Sequence, residues 1–518
     1  MNPIRQHFRS AQALRRLSKL LLLIVISASF IHAQNVPPLK GIPSVVIRWD
    51  KKFPNHTTPT LQAVVNPMLR RGSPIHDASM AALRNLGCDY VRYAFWFPYP
   101  KLVVAELQPP TASQTFWDFH YMDPIVEDFL NASNGHPAVW SFSTAPEWLY
   151  TTPKPVVYPE DPNQVFWDYS QGTEVKDVQA LADYYARLAS WYTQGGFTDE
   201  LGNFHASGYH YDIRYWEVFN EVDWEHESTP QQYVQRYDAI VEAVRKVVPQ
   251  MKFVGPALSD APHGAYMFEY FLDPRNHKPG IPLDYISFHV YAAPGADQTT
   301  ADWPYTFIDK ANEFLGVTRY ILRLRNRLSP TTKVMINEAG SILPGDMVQG
   351  EPNHVEKQIP ASYWNLSGAM YAYLYVELAK EGVDTVGESQ LVGFPSQFPS
   401  VTMVDWTTGK PNARYTVLQL LKNNIGSGDD FSETEVLPNG LPADADAMEA
   451  QAFTAGSQRK LLLINPRNRQ ITIALPKEFA GAAVQTVGGS SPDLASGEIE
   501  NGEFRAVPFS VSVLTLKN

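Results

Sequence analysis

Two apolar, aromatic runs in this 518-residue chain end in a glutamate. The first, Arg214-Tyr215-Trp216-Glu217-Val218-Phe219-Asn220-Glu221, leads into the polar stretch Val222-Asp223-Trp224-Glu225-His226. The second, Lys333-Val334-Met335-Ile336-Asn337-Glu338, gives way to the small residues Ala339-Gly340-Ser341. A pair of carboxyls set face to face suits glycosidic-bond cleavage. One carboxyl must protonate the departing oxygen while the other attacks or stabilises the positive anomeric carbon. A separation of about 5–5.5 Å allows direct attack and retains the anomeric configuration, whereas a wider gap admits a water and inverts it. The donor must be protonated near neutral pH and its partner ionised, and the partner's negative charge raises the donor's pKa.

Other strand-end groups compete for roles in such a site. Glu147 and Trp148, in Ser143-Thr144-Ala145-Pro146-Glu147-Trp148, follow a short apolar run and are candidates for substrate contact. Trp96, Trp148 and Trp224 lie in predicted loops, where stacking on a sugar face and simple burial of area are both open. Glu217, in mid-strand, reads as a buried, hydrogen-bonded structural residue. Alternative chemistries are poorly supplied: the sequence has no G-x-S-x-G elbow, no phosphate loop, no G-x-G-x-x-G after a strand and no H-E-x-x-H pair. The lone cysteine, Cys88, cannot form an internal disulfide and reads as a buried thiol. Gly426-Ser427-Gly428-Asp429-Asp430 could wrap calcium, although a polar junction explains it equally well. The residues demand no metal and no cofactor. With 42 Lys and Arg against 54 Asp and Glu, the formal charge of −12 opposes broad capture of nucleic acid.

Positioning the two glutamates requires a scaffold, and the chain alternates strand-like and helix-like segments. Strand-length apolar runs occur at Val45–Trp49, Tyr90–Phe97, Ala138–Ser141, Tyr215–Phe219, Phe253–Gly255, Tyr285–Val290, Lys333–Ile336 and Thr385–Val386. Between them, residues such as Val178, Leu181, Tyr185, Leu188 and Trp191 recur every three or four positions, as do Tyr233, Tyr237, Ile240, Val241, Val244 and Val248. Similar stripes occupy Phe307–Leu328 and Tyr363–Leu378. Eight strands alternating with helices predict an α/β fold, the closed (β/α)₈ TIM barrel, over residues 34–425, with an open doubly wound sheet as the runner-up. By strand count the two glutamates end the fourth and seventh strands, across the barrel mouth from one another. From residue 426 to 518 short β-rich runs separated by Gly, Pro, Asn and Ser predict a C-terminal β-sandwich domain. The first residues of the mature chain, Val36 to about Gly41, are candidates to add a strand to it.

The first 33 residues read as an address. Arg5, Arg9, Arg15, Arg16 and Lys19 precede an apolar run at Leu20–Ile26 that leads through Ser27–Phe30 to Ile31-His32-Ala33. A basic start, a short greasy middle and a small residue before the cut describe a secretory signal peptide, and the run is shorter than the ~20 residues of a membrane span. The expectation is a secreted protein, extracellular or periplasmic, with no membrane association after cleavage.

Trp216-Glu217-Val218-Phe219-Asn220-Glu221 together with Ile336-Asn337-Glu338 resembles the signature of clan A glycoside hydrolases. Asp284-Tyr285-Ile286-Ser287-Phe288-His289-Val290-Tyr291 is similar to the sixth strand of family 39 members. The resemblance covers residues 36–518, the trailing sandwich included, and implies a retaining O-glycosyl hydrolase acting on a polysaccharide or oligosaccharide. It implies Glu221 as acid/base, Glu338 as nucleophile and Asn220 as partner of the sugar 2-hydroxyl. It also implies His289 and Tyr291 in the cleaved subsite, with Tyr291 holding the nucleophile, and Arg92 supporting Glu338. Val222 stands where proline commonly follows the acid/base, and the eighth strand, Gly387-Glu388-Ser389-Gln390, lacks a tryptophan platform. The competing reading is a non-catalytic carbohydrate-binding protein on the same barrel.

Overall fold

The computed structural model describes residues 41–167, 174–347, 359–395, 397–439 and 448–517. Residues 1–33, expected to form a signal peptide, and the segment Val36–Lys40 lie outside the described residues.

Eight parallel strands close into a barrel: Thr58–Val64, Val91–Ala94, Ala138–Ser141, Tyr215–Glu217, Lys252–Leu258, Tyr285–Ala292, Lys333–Ser341 and Thr385–Glu388. Alternation sorts their side chains. Tyr93, Trp140, Trp216, Phe253, Ile286, Phe288, Val334 and Ile336 join the main core between strands and helices, while Val139, Val254, Tyr285 and Met335 form a separate apolar cluster. Odd and even positions of one strand point to opposite faces, so the second cluster plugs the barrel interior and the first greases its outside.

The surrounding helices follow the predicted stripes. Val178–Thr193 starts at Asp177, whose carboxylate accepts from the N–H groups of Gln179 and Ala180. It buries Leu181, Tyr185, Leu188 and Tyr192 on one face. Pro230–Val247 starts with a reciprocal cap between Thr229 and Gln232, with proline in the first turn where a missing N–H costs nothing.

One expectation is corrected. Val45–Trp49 belongs to the strand Ser44–Pro54, which is no part of the barrel; it pairs antiparallel with Asp430–Leu437 in the sandwich. The first barrel strand is instead Thr58–Val64, beside Thr385–Glu388 and Val91–Ala94. The burial pattern explains the misreading. Ser44–Pro54 alternates between covered and exposed residues, as a strand with one wet face does, whereas six of the seven residues of Thr58–Val64 are buried. Its polar Thr58, Thr60 and Gln62 mask that burial in the sequence.

Among the described residues, nine strands in one hydrogen-bonded series build the sandwich. Leu461 and Leu463 face its own core with Val45, Ile473 and Leu514. The intervening Leu462 and Ile464 join the barrel's cluster, so one strand of period two cements the two bodies together.

At the C-terminal end of the eighth strand, the fully buried Arg414 bonds Glu388 at 2.8 Å and the carbonyls of Ser389 and Val401. Replacing Arg414 with Met leaves Glu388 and two carbonyls buried without their cation. This should lower unfolding free energy by about 3–5 kcal/mol, seen as a reduced urea midpoint.

Candidate active site

The fourth strand ends at Glu217, and the chain beyond it is held by backbone bonds from Val218 N–H to Val254 and from Glu221 N–H to the Ala257 carbonyl, both 2.9 Å. Tyr233 reaches over to donate to the Val218 carbonyl at 3.2 Å. That approach depends on Gly255, where a Cβ would lie 2.0 Å from the tyrosine oxygen. Phe219 and Glu221 take left-handed φ values of 67° and 39°, a conformation costly for side chains of this kind and typical of sites fixed by their surroundings. Asp223 then accepts from the N–H groups of Ser259 and Asp260, tying this loop to the one after the fifth strand.

The seventh strand aims its carboxyl differently. Its register against the sixth strand shifts between Ile336 and Glu338. A bulge lets successive residues share one face: Asn337 donates to Glu217 and Glu338 bonds Arg92, both inside the barrel.

The two carboxyls meet around His289. One oxygen each of Glu221 and Glu338 and a ring nitrogen of His289 lie within 4.8 Å of one another. His289 Nδ1 is 2.8 Å from Glu221 Oε1, and Nε2 is 3.6 Å from Glu338 Oε1. Glu338 Oε1 accepts from Arg92 Nη1 at 2.6 Å, and Oε2 accepts from the Tyr291 hydroxyl at 2.6 Å. Tyr291 also touches Ser389 Oγ, which Gln62 holds at 3.0 Å. Arg92, fully buried, binds Glu217, Gln62 and Asn220 as well. Glu217 in turn receives Ser287 at 2.8 Å.

These surroundings split two like acids. Burial pushes the Glu221 carboxyl above its ordinary value, His289 opposing and the charge of Glu338 assisting. Burial would raise Glu338 too, but His289, Arg92, Tyr291 and Gln62 outweigh it and hold that carboxyl below the usual range. His289 is disfavoured as a cation by burial, yet Glu338 and Glu221 raise it. The same triad is the group of three that could ligate a metal among the described residues. The Arg92 guanidinium already on Glu338 opposes a second cation there.

A cavity of about 340 Å³ opens over the pair, lined by Arg92, Asn220, Glu221, Tyr291 and Glu338, with Trp96, Phe398, Val64 and Ile342 as its apolar wall and Trp224 at its rim. Trp224 is 46% exposed. Of the residues singled out in the sequence, Arg92, Asn220, Glu221, Tyr291 and Glu338 therefore face one space, and His289 bridges the two acids. Glu147 and Trp148 are not among the residues lining this cavity: Glu147 is buried at the start of a short 3₁₀ turn, Glu147–Leu149, and the Trp148 indole donates to the Glu106 carbonyl at 3.0 Å while its ring packs on the main core. The turn that holds both is led by Pro146 and follows the third strand. Gln62, Ser389, Gln390 and Phe398 were missed. Gln62 was hidden by the misplaced first strand, and the others are neutral residues of the eighth-strand loop without a chemical signature.

The model of the family described as Glycosyl hydrolases family 39 matches residues 76–314. That span takes in Arg92, Asn220, Glu221, His289 and Tyr291 but stops short of Glu338, whose place rests on geometry. A beta-xylosidase of Geobacillus stearothermophilus is 24% identical over 209 residues, 39% of this chain and 36% of that protein; the match thus spans about a third of the curated relative. Solved structures share the fold: a GH51 arabinofuranosidase from Xanthomonas axonopodis pv. citri (TM-score 0.62, 13% identity) and a glucosidase from Croceicoccus marinus (TM-score 0.57, 14% identity) each align over 92% of this chain and 100% of theirs. The expected likeness to clan A barrels, and to family 39 in particular, is borne out, as is the barrel with its trailing sandwich.

Because His289 lowers both acids, His289→Asn should raise the titration midpoints of Glu221 and Glu338 together. Carbon-13 glutamate NMR, with Glu221→Gln and Glu338→Gln spectra for assignment, checks this; a shift of only one resonance contradicts the shared contact.

Proposed function

We propose that this chain, a clan A barrel most like the glycosyl hydrolases of family 39, is a retaining O-glycosyl hydrolase with Glu338 as nucleophile and Glu221 as acid/base. One observation carries the reading: two carboxyls whose oxygens approach within 4.8 Å, with surroundings that push their pKa values apart, open into one cavity. An approach this close supports the retaining separation of about 5–5.5 Å over the roughly 6.5–9.5 Å of inverting pairs.

In the first step a Glu338 oxygen attacks the anomeric carbon as the glycosidic C–O bond breaks, and the Glu221 proton passes to the departing oxygen. The product is a glycosyl ester on Glu338, which consumes that residue's negative charge. Glu221 is then an easier acid to ionise, so it takes a proton from water as the water oxygen attacks the anomeric carbon. The ester bond breaks, Glu338 leaves as carboxylate, and the configuration is retained after two inversions. Arg92 and Tyr291 hold the Glu338 oxygens, so the nucleophile need not reorganise.

The cavity lining supports a neutral sugar. Its single cationic lining residue among the described ones, Arg92, spends its donors on Glu217, Glu338, Gln62 and Asn220, leaving a uronic carboxylate without a counter-ion. The matched beta-xylosidase favours xylosidic substrates within that class. No helix among the described residues is long and apolar enough to cross a membrane. The basic and apolar leader supports export, where a polysaccharide or its oligosaccharides would be met.

An aryl glycoside panel tests the assignment. Glu338→Ala should abolish turnover. Glu221→Ala should lose ~10²–10⁴-fold on poor leaving groups, keep most activity on activated ones and gain rate with azide, yielding a glycosyl azide of retained configuration. Inverted product from the wild type would refute the nucleophile assignment.

The pH dependence of wild-type kcat/KM should be bell-shaped. Its acid limb, set by Glu338 losing a proton, falls below the usual carboxylate range, and its alkaline limb, set by Glu221 losing one, falls above it. A single-limbed profile contradicts the split.

A further inference from the structure

Glu225 sits one turn beyond Glu221, its N–H donating to the Glu221 carbonyl at 2.7 Å. It is buried, and its Oε1 receives two hydrogen bonds: from Asn220 Nδ2 at 2.6 Å and from the Trp96 indole N–H at 2.5 Å. Asn220 Oδ1 is meanwhile engaged by Arg92 Nη2 at 2.5 Å. An amide offers one acceptor oxygen and two N–H donors. Arg92 takes the oxygen and Glu225 takes one N–H. The second N–H is what Asn220 has left to give, and both Asn220 and Trp96 line the cavity beside Glu338.

We propose that Glu225 is a positioning residue: one of its carboxyl oxygens sets the tilt of the Asn220 amide and the place of the Trp96 ring, so that Asn220 presents its free N–H to the sugar hydroxyl next to the reacting carbon. This rests on the glycosidase reading above. Arg92 decides which end of the amide is oxygen, and Glu225 decides where its plane lies. Contacts to that hydroxyl strengthen as the anomeric carbon becomes positive, so a misplaced amide costs transition-state binding more than substrate binding.

The role asks only for an acceptor. Burial pushes the Glu225 carboxyl well above the ordinary range, and a carboxyl in its neutral form still offers a carbonyl oxygen to both N–H bonds. An ionised Glu225 would place another negative charge beside Glu221, which has to give up a proton, and near Glu338, which has to attack. Glutamine keeps the carbonyl acceptor; methionine removes it at similar volume.

The test compares Glu225→Gln, Glu225→Met, Asn220→Ala and the double variant Glu225→Met/Asn220→Ala on the best aryl glycoside of the panel and on its 2-deoxy counterpart. The readout is the ratio of kcat/KM for the two substrates, in which any loss of folded enzyme cancels. That ratio should fall about 100-fold in Asn220→Ala and about tenfold or more in Glu225→Met, and the double variant should fall no further than Asn220→Ala alone. Glu225→Gln should stay within about threefold of wild type. Glu225→Ala serves the same comparison if methionine is not accommodated. A Glu225→Met enzyme slowed equally on both substrates overturns the proposal, as does a Glu225→Gln enzyme whose ratio falls as far as that of Glu225→Met. A wild type inert toward every glycoside would instead overturn the glycosidase reading itself.

Discussion

The site depends on a single buried guanidinium. Arg92 is 1% exposed and binds two carboxylates, Glu217 and Glu338, along with the neutral oxygens of Gln62 and Asn220. A charge so placed is tolerable only when its donors are satisfied and its charge is balanced. Glu217 supplies that balance with help from Ser287 and Asn337, which bind its other oxygen. Because Glu217 takes a share of the cation, Arg92 holds Glu338 as an anion without owning it outright. The fork geometry of the guanidinium also fixes four partners from four different strands or loops at once, which an ammonium could not do.

Around this group the barrel divides its labour by layer. Apolar Val139, Val254 and Met335 seal the interior below, excluding the water that would weaken every charge contact above. The ionic layer of Arg92, Glu217, Ser287 and Asn337 follows, and the pair Glu221 and Glu338 with His289 crowns it. The two upper acids arrive by different routes, one on a loop bent through left-handed residues after the fourth strand, the other by a bulge within the seventh. Each route is anchored from behind: Tyr233 and Asp223 hold the first, and the hydrogen bonds of the sixth strand hold the second.

Much of this was legible in the sequence because the decisive signals were polar groups at the ends of aromatic strands. Glu221 and Glu338 announced themselves in that way, and the helical stripes were strong enough to fix the alternation of elements. The failures share a cause. Thr58–Val64 is buried on both faces yet carries threonine and glutamine, so hydropathy passed it over, and Ser44–Pro54 was more strand-like by itself than the barrel strand that follows it. Glu147 and Trp148 had the right types at a strand end, but a turn of three residues decides whether such groups face the mouth or the core, and no pattern of period two or 3.6 encodes that direction. Glu225 was invisible for a related reason: its significance lies in which two N–H groups converge on one oxygen, a fact of three dimensions.

The opposite pKa shifts of Glu221 and Glu338 follow from how many donors each receives. Both are buried acids, and burial drives both toward the neutral form. Glu338 receives a guanidinium, a phenol and the field of an imidazole, which together overcome desolvation and hold its carboxyl below the usual range. Glu221 receives the imidazole alone, with the negative Glu338 facing it, and its carboxyl is pushed above the ordinary value. His289, touching both, makes the titration of each sensitive to the state of the other, so the pair titrates as a unit. In the proposed reaction, conversion of Glu338 to an ester would remove the charge that raises Glu221, and the same imidazole would then favour its anion. The change from acid to base that this proposal asks of Glu221 thus needs no movement of the protein, only the disappearance of one charge a few ångströms away.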